Sequence, residues 1–526
     1  MGIYLNPGNE AFQISVHDDI YVDKSGLIAF ANSRLGKRKR FLCVSRPRRF
    51  GKSMAAEMLC AYYDCSCSSR SLFEDLEIAA DDSFGQHLNR YHVIFLNIQQ
   101  LLRSAGEIGL LTAHIEQAVI SELREEYHSL ISPDDTSLSS VLSRLYQKDT
   151  QPDRGFIFIL DEWDCIFREA PADTDAQKAY LDFLRDLFKD RTYVKLAYMT
   201  GILPVKKYGT HSALNIFDEF SMTSPGRLAK YVGFTRQEVQ TLCKRYDMKF
   251  SEARRWYDGY RFLRANHIYN PKSIVDAMLE EEFRSFWTST ETYEALQVYI
   301  DLDIDGLKQS VISLLAGDTC QIDTGSFQND MTSCKSRDDI LTLLVHLGYL
   351  AYDERTSSVF VPNEEVRNEF IRALKNGNRP ELIKAIQVSD RLLCATLRMD
   401  GDTVASMIEE AHSAAISSDF YNNEQALRSV ILLSYITRID DYTTIQELPS
   451  GNGYADILFL PRRRSDKPAM LIELKWNHSA EGAIAQIKNR KYIQALEGFG
   501  GDILLVGINY NKKTRKHECL IEKHHL

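Results

Sequence analysis

Phe41-Leu42-Cys43-Val44-Ser45 followed by Arg46-Pro47-Arg48-Arg49-Phe50-Gly51-Lys52-Ser53 is the stretch on which the fold turns. The first five residues are almost wholly apolar, as a strand buried on both faces requires. A helical pattern opens at Met54. Gly51, Lys52 and Ser53 therefore lie between a strand and a helix, the context that turns a common tripeptide into a phosphate-binding loop. Gly51 lets the backbone approach a phosphate. Lys52 is a point charge for the β- and γ-phosphates of ATP, and Ser53 offers its hydroxyl to Mg²⁺. The helix N-terminus adds its dipole to the same anion site. The loop departs from the usual pattern at Arg46, where a glycine is common, and at Pro47, which has no N–H to donate. Arg46, Arg48 and Arg49 are the cationic donors that replace the lost amides at the nucleotide.

A second apolar strand, Phe156-Ile157-Phe158-Ile159-Leu160, ends in Asp161 and Glu162. Asp161 suits the water shell of Mg²⁺ and Glu162 the general base that polarises an attacking water. Asp164 reads as a local helix cap. Thr200-Gly201, after the apolar run Val194 to Met199, reads equally well as a γ-phosphate sensor and as a plain turn.

Around these strands the first 200 residues alternate buried strands (Phe41 to Ser45, His92 to Ile98, Gly155 to Leu160, Val194 to Met199) with amphipathic helices such as Met54 to Tyr63 and Ile108 to Glu126. That order gives an α/β layer architecture with a parallel sheet. From Ser224 the pattern is mostly helical. Asn270-Pro271 caps and opens the helix Lys272 to Glu282. Asp338 to Ala373 reads as helix, hairpin (Gly348 to Asp353 and Ser357 to Pro362) and a helix capped by Asn363, the outline of a winged helix. Three regions result: a nucleotide domain over 1–223, a helical, winged-helix-like region over 224–375, and a C-terminal α/β domain over 376–526.

Composition fits a soluble globular chain, with 526 residues, 44% hydrophobic and 26% charged, long enough for several cores. No apolar run reaches the roughly 18 residues that span a bilayer, and no secretory pattern opens the chain. The ten cysteines are scattered, which suits reduced thiols in a cytoplasm. The net charge of −10 exerts no global pull on nucleic acid, although Gly451 to Leu526 holds 13 Lys and Arg against 8 Asp and Glu.

In the last 150 residues a helix, Ala411 to Ile436, precedes the strands Thr443 to Leu448, Tyr454 to Pro461 and Ala469 to Lys475. A helix (Ala483 to Glu497) and a strand (Asp502 to Tyr510) complete the pattern. Glu473 and Lys475 are two apart and share a face of their strand. Asp456, on the hairpin partner, joins them if the register allows. Two carboxylates and the Leu474 carbonyl suit a hard cation such as Mg²⁺, and Lys475 suits the orientation or deprotonation of its water. Gln486, on the next helix, reaches back to the site, and Glu424, on the helix before it, completes the acidic cluster.

Tyr21-Val22-Asp23-Lys24-Ser25, Arg46 to Ser53, Leu160-Asp161-Glu162-Trp163-Asp164, Thr200-Gly201, Gly233-Phe234-Thr235, Trp256-Tyr257-Asp258-Gly259-Tyr260 and Tyr269-Asn270-Pro271 occur in this order. Together they resemble the bacterial AAA-ATPase-like family that carries a C-terminal PD-(D/E)XK nuclease-superfamily domain. The resemblance covers nearly the whole chain and makes the missing first loop glycine a family trait. It departs at Trp163, where tyrosine is more usual, at Ser212 to Ile216, where an Asn-rich loop is only partly present, and at Gly453-Tyr454-Ala455. Glu424, Asp456, Glu473, Lys475 and Gln486 fall on its nuclease motif positions, and the resemblance implies a restriction-endonuclease-like α/β fold for 376–526. It implies an ATP-regulated, Mg²⁺-dependent enzyme, with DNA or RNA as partner, no membrane, and a homo-oligomer left open. The rival expectations are a nucleotide-switched protein whose nuclease fold only holds nucleic acid, and a plain ATPase that acts on a protein.

Overall fold

The computed structural model describes residues 2–148, 155–205, 214–287, 304–316, 319–328, 334–376, 380–415, 431, 434–435, 442–450, 453–461, 467–489 and 501–525. Glu424 lies outside them. They form two compact units, the first made chiefly of residues 1–292 and 320–366, the second chiefly of 367–526. The expected break at 223/224 is not a boundary between these units.

Five parallel strands make the central sheet of the first unit: β1 (Phe41–Ser45), β2 (His92–Asn97), β3 (Phe156–Asp161), β4 (Val194–Gly201) and β5 (Asp218–Phe220), in the order β2-β3-β4-β1-β5. Every residue of β1 and β3 is buried. Each large side chain so removed from water contributes about 1.5–3 kcal/mol. The helix Lys52–Tyr63 lies against β2, β3 and β4. In this order β4 separates the strand before the phosphate loop from the strand that ends in Asp161. The register still sets Asp161 beside Thr200 and Val44 beside Thr200, so the C-terminal ends of all three strands converge.

The middle region is built on this unit. β6 (Phe234–Thr235), β7 (Tyr260–Phe262) and β8 (Ala265–Tyr269) form a small antiparallel sheet. Thr235 opens the helix Arg236–Arg245 with a reciprocal capping box to Glu238, and the same Glu238 takes the ammonium of Lys24 at 2.7 Å. Asn270 caps Pro271–Leu279, accepting from the amides of Lys272 (3.0 Å) and Ser273 (3.4 Å). The winged-helix outline is present as the helix Arg337–Leu347, the strands β10 (Ala351–Asp353) and β11 (Ser358–Phe360), and a helix from Glu364 that Asn363 caps through the Val366 amide. A short strand, β9 (Cys320–Gln321), adds to β11. Gly259 explains its place in the Trp256 to Tyr260 motif, since at φ 128° a Cβ there would lie 2.0 Å from the carbonyl oxygen of Pro362.

The second unit holds a mixed sheet in the order β12 (Tyr442–Ser450), β13 (Gly453–Pro461), β14 (Ala469–Trp476), β15 (Asp502–Asn511), β16 (Lys516–His525). All neighbours are antiparallel except β14 and β15, which are parallel. Both faces are covered. Ile457, Ile472, Leu474, Val506 and Ile508 pack with helical residues such as Leu392 and Ile408. On the other face Leu458, Leu471 and Leu505 meet Ile484 and Ile487 of the helix Ala480–Asn489. No helix among the described residues is long and apolar enough to cross a membrane, and the cysteines form no disulfide there.

Candidate functional sites

Gly51 turns the loop after β1 into the helix Lys52–Tyr63 with φ 84°, a left-handed conformation that glycine adopts at little cost, and a Cβ added there would meet only open space. No side chain caps this helix, so its first-turn amides remain available to an anion. Lys52 is 5% exposed and its ammonium donates to the Pro47 carbonyl at 3.0 Å. Burial pulls its pKa down, while the nearby carboxylates of Glu162, Asp161 and Asp164 push back.

Ser53 Oγ donates to Asp161 Oδ2 at 2.7 Å, joining residues 108 apart in the chain. The structure thus brings together the ends of the two motifs. Burial raises the Asp161 pKa, and the Ser53 hydrogen bond and Lys52 oppose the rise. A hydroxyl and a carboxylate oxygen at this separation are the hard donors Mg²⁺ takes, so the residues fit that ion. Glu162 follows at φ 53°, its amide donating to Asp161 Oδ1 at 3.0 Å. Its carboxylate is engaged by Arg168.

The arginines of the loop divide. Arg46 is wholly buried, donates Nη1 to the carbonyls of Ser45 and Phe220 at 2.8 Å each, and lies over the Phe262 ring at 5.4 Å. That corrects the expectation of a phosphate donor: its guanidinium ties β1 to β5 and β7, and burial lowers its pKa to about 10. Arg49 is exposed and donates to the Phe286 carbonyl at 2.8 Å. Arg48 is half-buried on the same loop. Phe50 stacks edge-on against Tyr260 at 5.2 Å, and the Tyr260 hydroxyl donates to the carbonyl of Gly348 at 2.6 Å. Gly348 in turn lies so close to Pro47 that a Cβ would come within 2.8 Å of its ring. Four loop residues are thus held by the middle region, a feature no linear pattern revealed.

Asp164 makes no cap hydrogen bond. Instead its Oδ2 accepts from the amides of Ile202 (3.1 Å) and Leu203 (2.8 Å), just past β4. Gly201 leaves room for it, since a Cβ would lie 2.4 Å from Asp164 Oδ1. Thr200 donates its hydroxyl to the Val44 carbonyl at 3.0 Å, which supports the structural reading of that residue.

In the second unit Glu473 and Lys475 lie on β14, with Glu473 2% exposed and Lys475 Nζ donating to Glu473 Oε1 at 3.0 Å. Gln486, from the helix Ala480–Asn489, also donates to Glu473 Oε1. A carboxylate this buried requires such partners. β13 pairs with β14 through Ile457↔Ile472 and Leu458↔Leu471; continued by one pair, this register sets the Asp456 position opposite Glu473. Among the described residues no group of three or more His, Cys, Asp or Glu is placed to hold a metal. Glu473 supplies oxygen donors of the kind Mg²⁺ takes.

Residues 8–210 match the family model for a predicted AAA-ATPase, and residues 422–519 match that of the PD-(D/E)XK nuclease superfamily. A protein from the vnfD 5′ region of Azotobacter chroococcum mcd 1 is 23% identical over 532 residues, spanning 95% of this chain and 94% of its own. Among solved structures, a Walker-type ATPase of Pyrococcus abyssi superposes with a TM-score of 0.36 at 12% identity, covering 66% of this chain and 94% of its own. The ORC2 protein of Aeropyrum pernix, solved in ADPNP–ADP complexes, gives 0.30 at 12% identity, over 68% and 96%.

Proposed function

We propose that this chain, which joins an AAA-ATPase-like domain to a PD-(D/E)XK nuclease-superfamily domain, binds and hydrolyses ATP at the loop 46–53 and cleaves nucleic-acid phosphodiester bonds at β13 and β14. The bond from Ser53 to Asp161 carries the reading. It unites the end of the phosphate loop with the strand that presents a base.

Ser53 and Asp161 would hold Mg²⁺, which draws charge from the phosphate oxygens. Lys52 exchanges its bond to the Pro47 carbonyl for the β- and γ-phosphates. The first-turn amides of Lys52–Tyr63 receive the same anion. Glu162 takes the proton of the attacking water. In the second unit Asp456 and Glu473, with Glu424 to complete the set, would hold the hard cation of the nuclease site. Lys475 orients the water there, and Gln486 fixes the carboxylate of Glu473. Either DNA or RNA fits this chemistry.

Titration of ATP into wild type and Lys52→Ala by calorimetry tests the nucleotide site. Lys52 is a buried cation at the end of the loop, and its ammonium donates to the Pro47 carbonyl. Its loss should weaken ATP binding at least tenfold, about 1.4 kcal/mol or more. An unchanged affinity would remove the phosphate-loop assignment.

A further inference from the structure

Arg168 belongs to the short helix Cys165–Glu169 that follows β3, and its side chain is 8% exposed. Two nitrogens of its guanidinium are engaged. Nη2 pairs with Glu162 Oε2, and Nε pairs with Asp164 Oδ2 at 3.2 Å. Asp164 is itself fully buried and is fixed by the amides of Ile202 and Leu203. Backbone beyond β4, Asp164, Arg168 and Glu162 therefore form one continuous chain of charge-assisted hydrogen bonds.

We infer that Arg168 is a positioning residue for hydrolysis, which aims the carboxylate of Glu162 at the attacking water; this rests on the reading of Glu162 as the base. A guanidinium is rigid and planar, so the Nε bond to Asp164 fixes the direction in which Nη2 presents its N–H to Glu162. Glu162 is held from behind as well, through its left-handed φ of 53° and its amide bond to Asp161. A non-glycine residue pays about 1–2 kcal/mol for such a conformation, which the surrounding bonds offset. With Oε2 taken by Arg168, Oε1 is the oxygen left to receive the proton. Both carboxylates keep Arg168 charged, outweighing the effect of its burial. The contacts of Nε and Nη2 are both to protein carboxylates, and its role is assigned through Glu162.

The test is a double-mutant cycle on ATP hydrolysis and ATP binding with wild type, Arg168→Ala, Arg168→Lys, Glu162→Gln and the double variant Glu162→Gln/Arg168→Ala. Arg168→Ala should lower kcat about tenfold or more with ATP Kd within about twofold of wild type. Arg168→Lys keeps a cation but not the fork, and should recover only part of the loss. In the Glu162→Gln background the Arg168→Ala change should cost less than about twofold, because the group it positions is gone. An equal cost in both backgrounds, or a normal kcat in Arg168→Ala, overturns the inference. If Arg168→Ala does not fold, Arg168→Lys alone and combined with Glu162→Gln forms the same cycle, and an equal cost in both backgrounds overturns the inference there too. Wild-type turnover in Glu162→Gln would instead sink the base assignment, so the two failures are told apart.

Discussion

Glu162→Gln should leave ATP bound and slow its turnover by about 10²-fold or more. The amide keeps the length and shape of the side chain and removes its ability to take a proton. The β3 end that presents Glu162 is fixed by Asp161, whose Oδ1 and Oδ2 hold the Glu162 amide and the Ser53 hydroxyl. The substitution therefore leaves in place the bonds of Asp161 to the Glu162 amide and to Ser53. Steady-state phosphate release at saturating ATP, with binding measured in parallel, gives the answer. Turnover at the wild-type rate would mean that another group acts as base.

Asp456→Ala is expected to abolish cleavage of nucleic acid while ATP hydrolysis continues. The chemistry proposed for β13 and β14 needs two carboxylates around a hard cation. Glu473 is one of them, buried and held by Lys475 and Gln486. The other is the Asp456 position, which the register continued from Ile457↔Ile472 sets opposite Glu473. Incubation of both proteins with single- and double-stranded DNA and RNA, with Mg²⁺ and with or without ATP, reads the outcome and selects the substrate class. Persistent cutting by Asp456→Ala would show that the second unit is not the nuclease and would favour the nucleic-acid-holding alternative. In the same assay Lys52→Ala should alter the cleavage rate if nucleotide governs the nuclease. A ligand moves such an equilibrium only by binding its two states unequally. Within the first unit the loop residues Pro47, Arg49 and Phe50 contact Gly348, Phe286 and Tyr260.

The parallel sheet was legible because strands buried on both faces leave unbroken apolar runs, as in Phe41–Ser45 and Phe156–Asp161. Caps at Asn270 and Asn363 were legible for a similarly local reason, since a side chain two or three residues away from the amide it accepts is visible in a linear sequence. β5 and β16 were not. Asp218–Phe220 is three residues long, and Lys516–His525 is an edge strand rich in Lys and His, the composition that protects an edge and hides the strand. Long-range partnerships set the rest. Nothing near Arg46 in sequence says that Phe220 and Phe262 will receive its guanidinium. The spacing of Asp164 and Arg168, four apart on a helical turn, did carry a signal for their ion pair. The link onward to Glu162 depends on the left-handed turn at that residue, which composition does not announce.

Phosphate release from ATP by the purified wild-type chain, measured with Mg²⁺ and again with EDTA in excess, tests the central claim most directly. With Ser53 and Asp161 as ion ligands and Glu162 as base, hydrolysis should proceed with Mg²⁺ and fall to background with EDTA. Hydrolysis that continues undiminished in EDTA, or none under either condition, would contradict it.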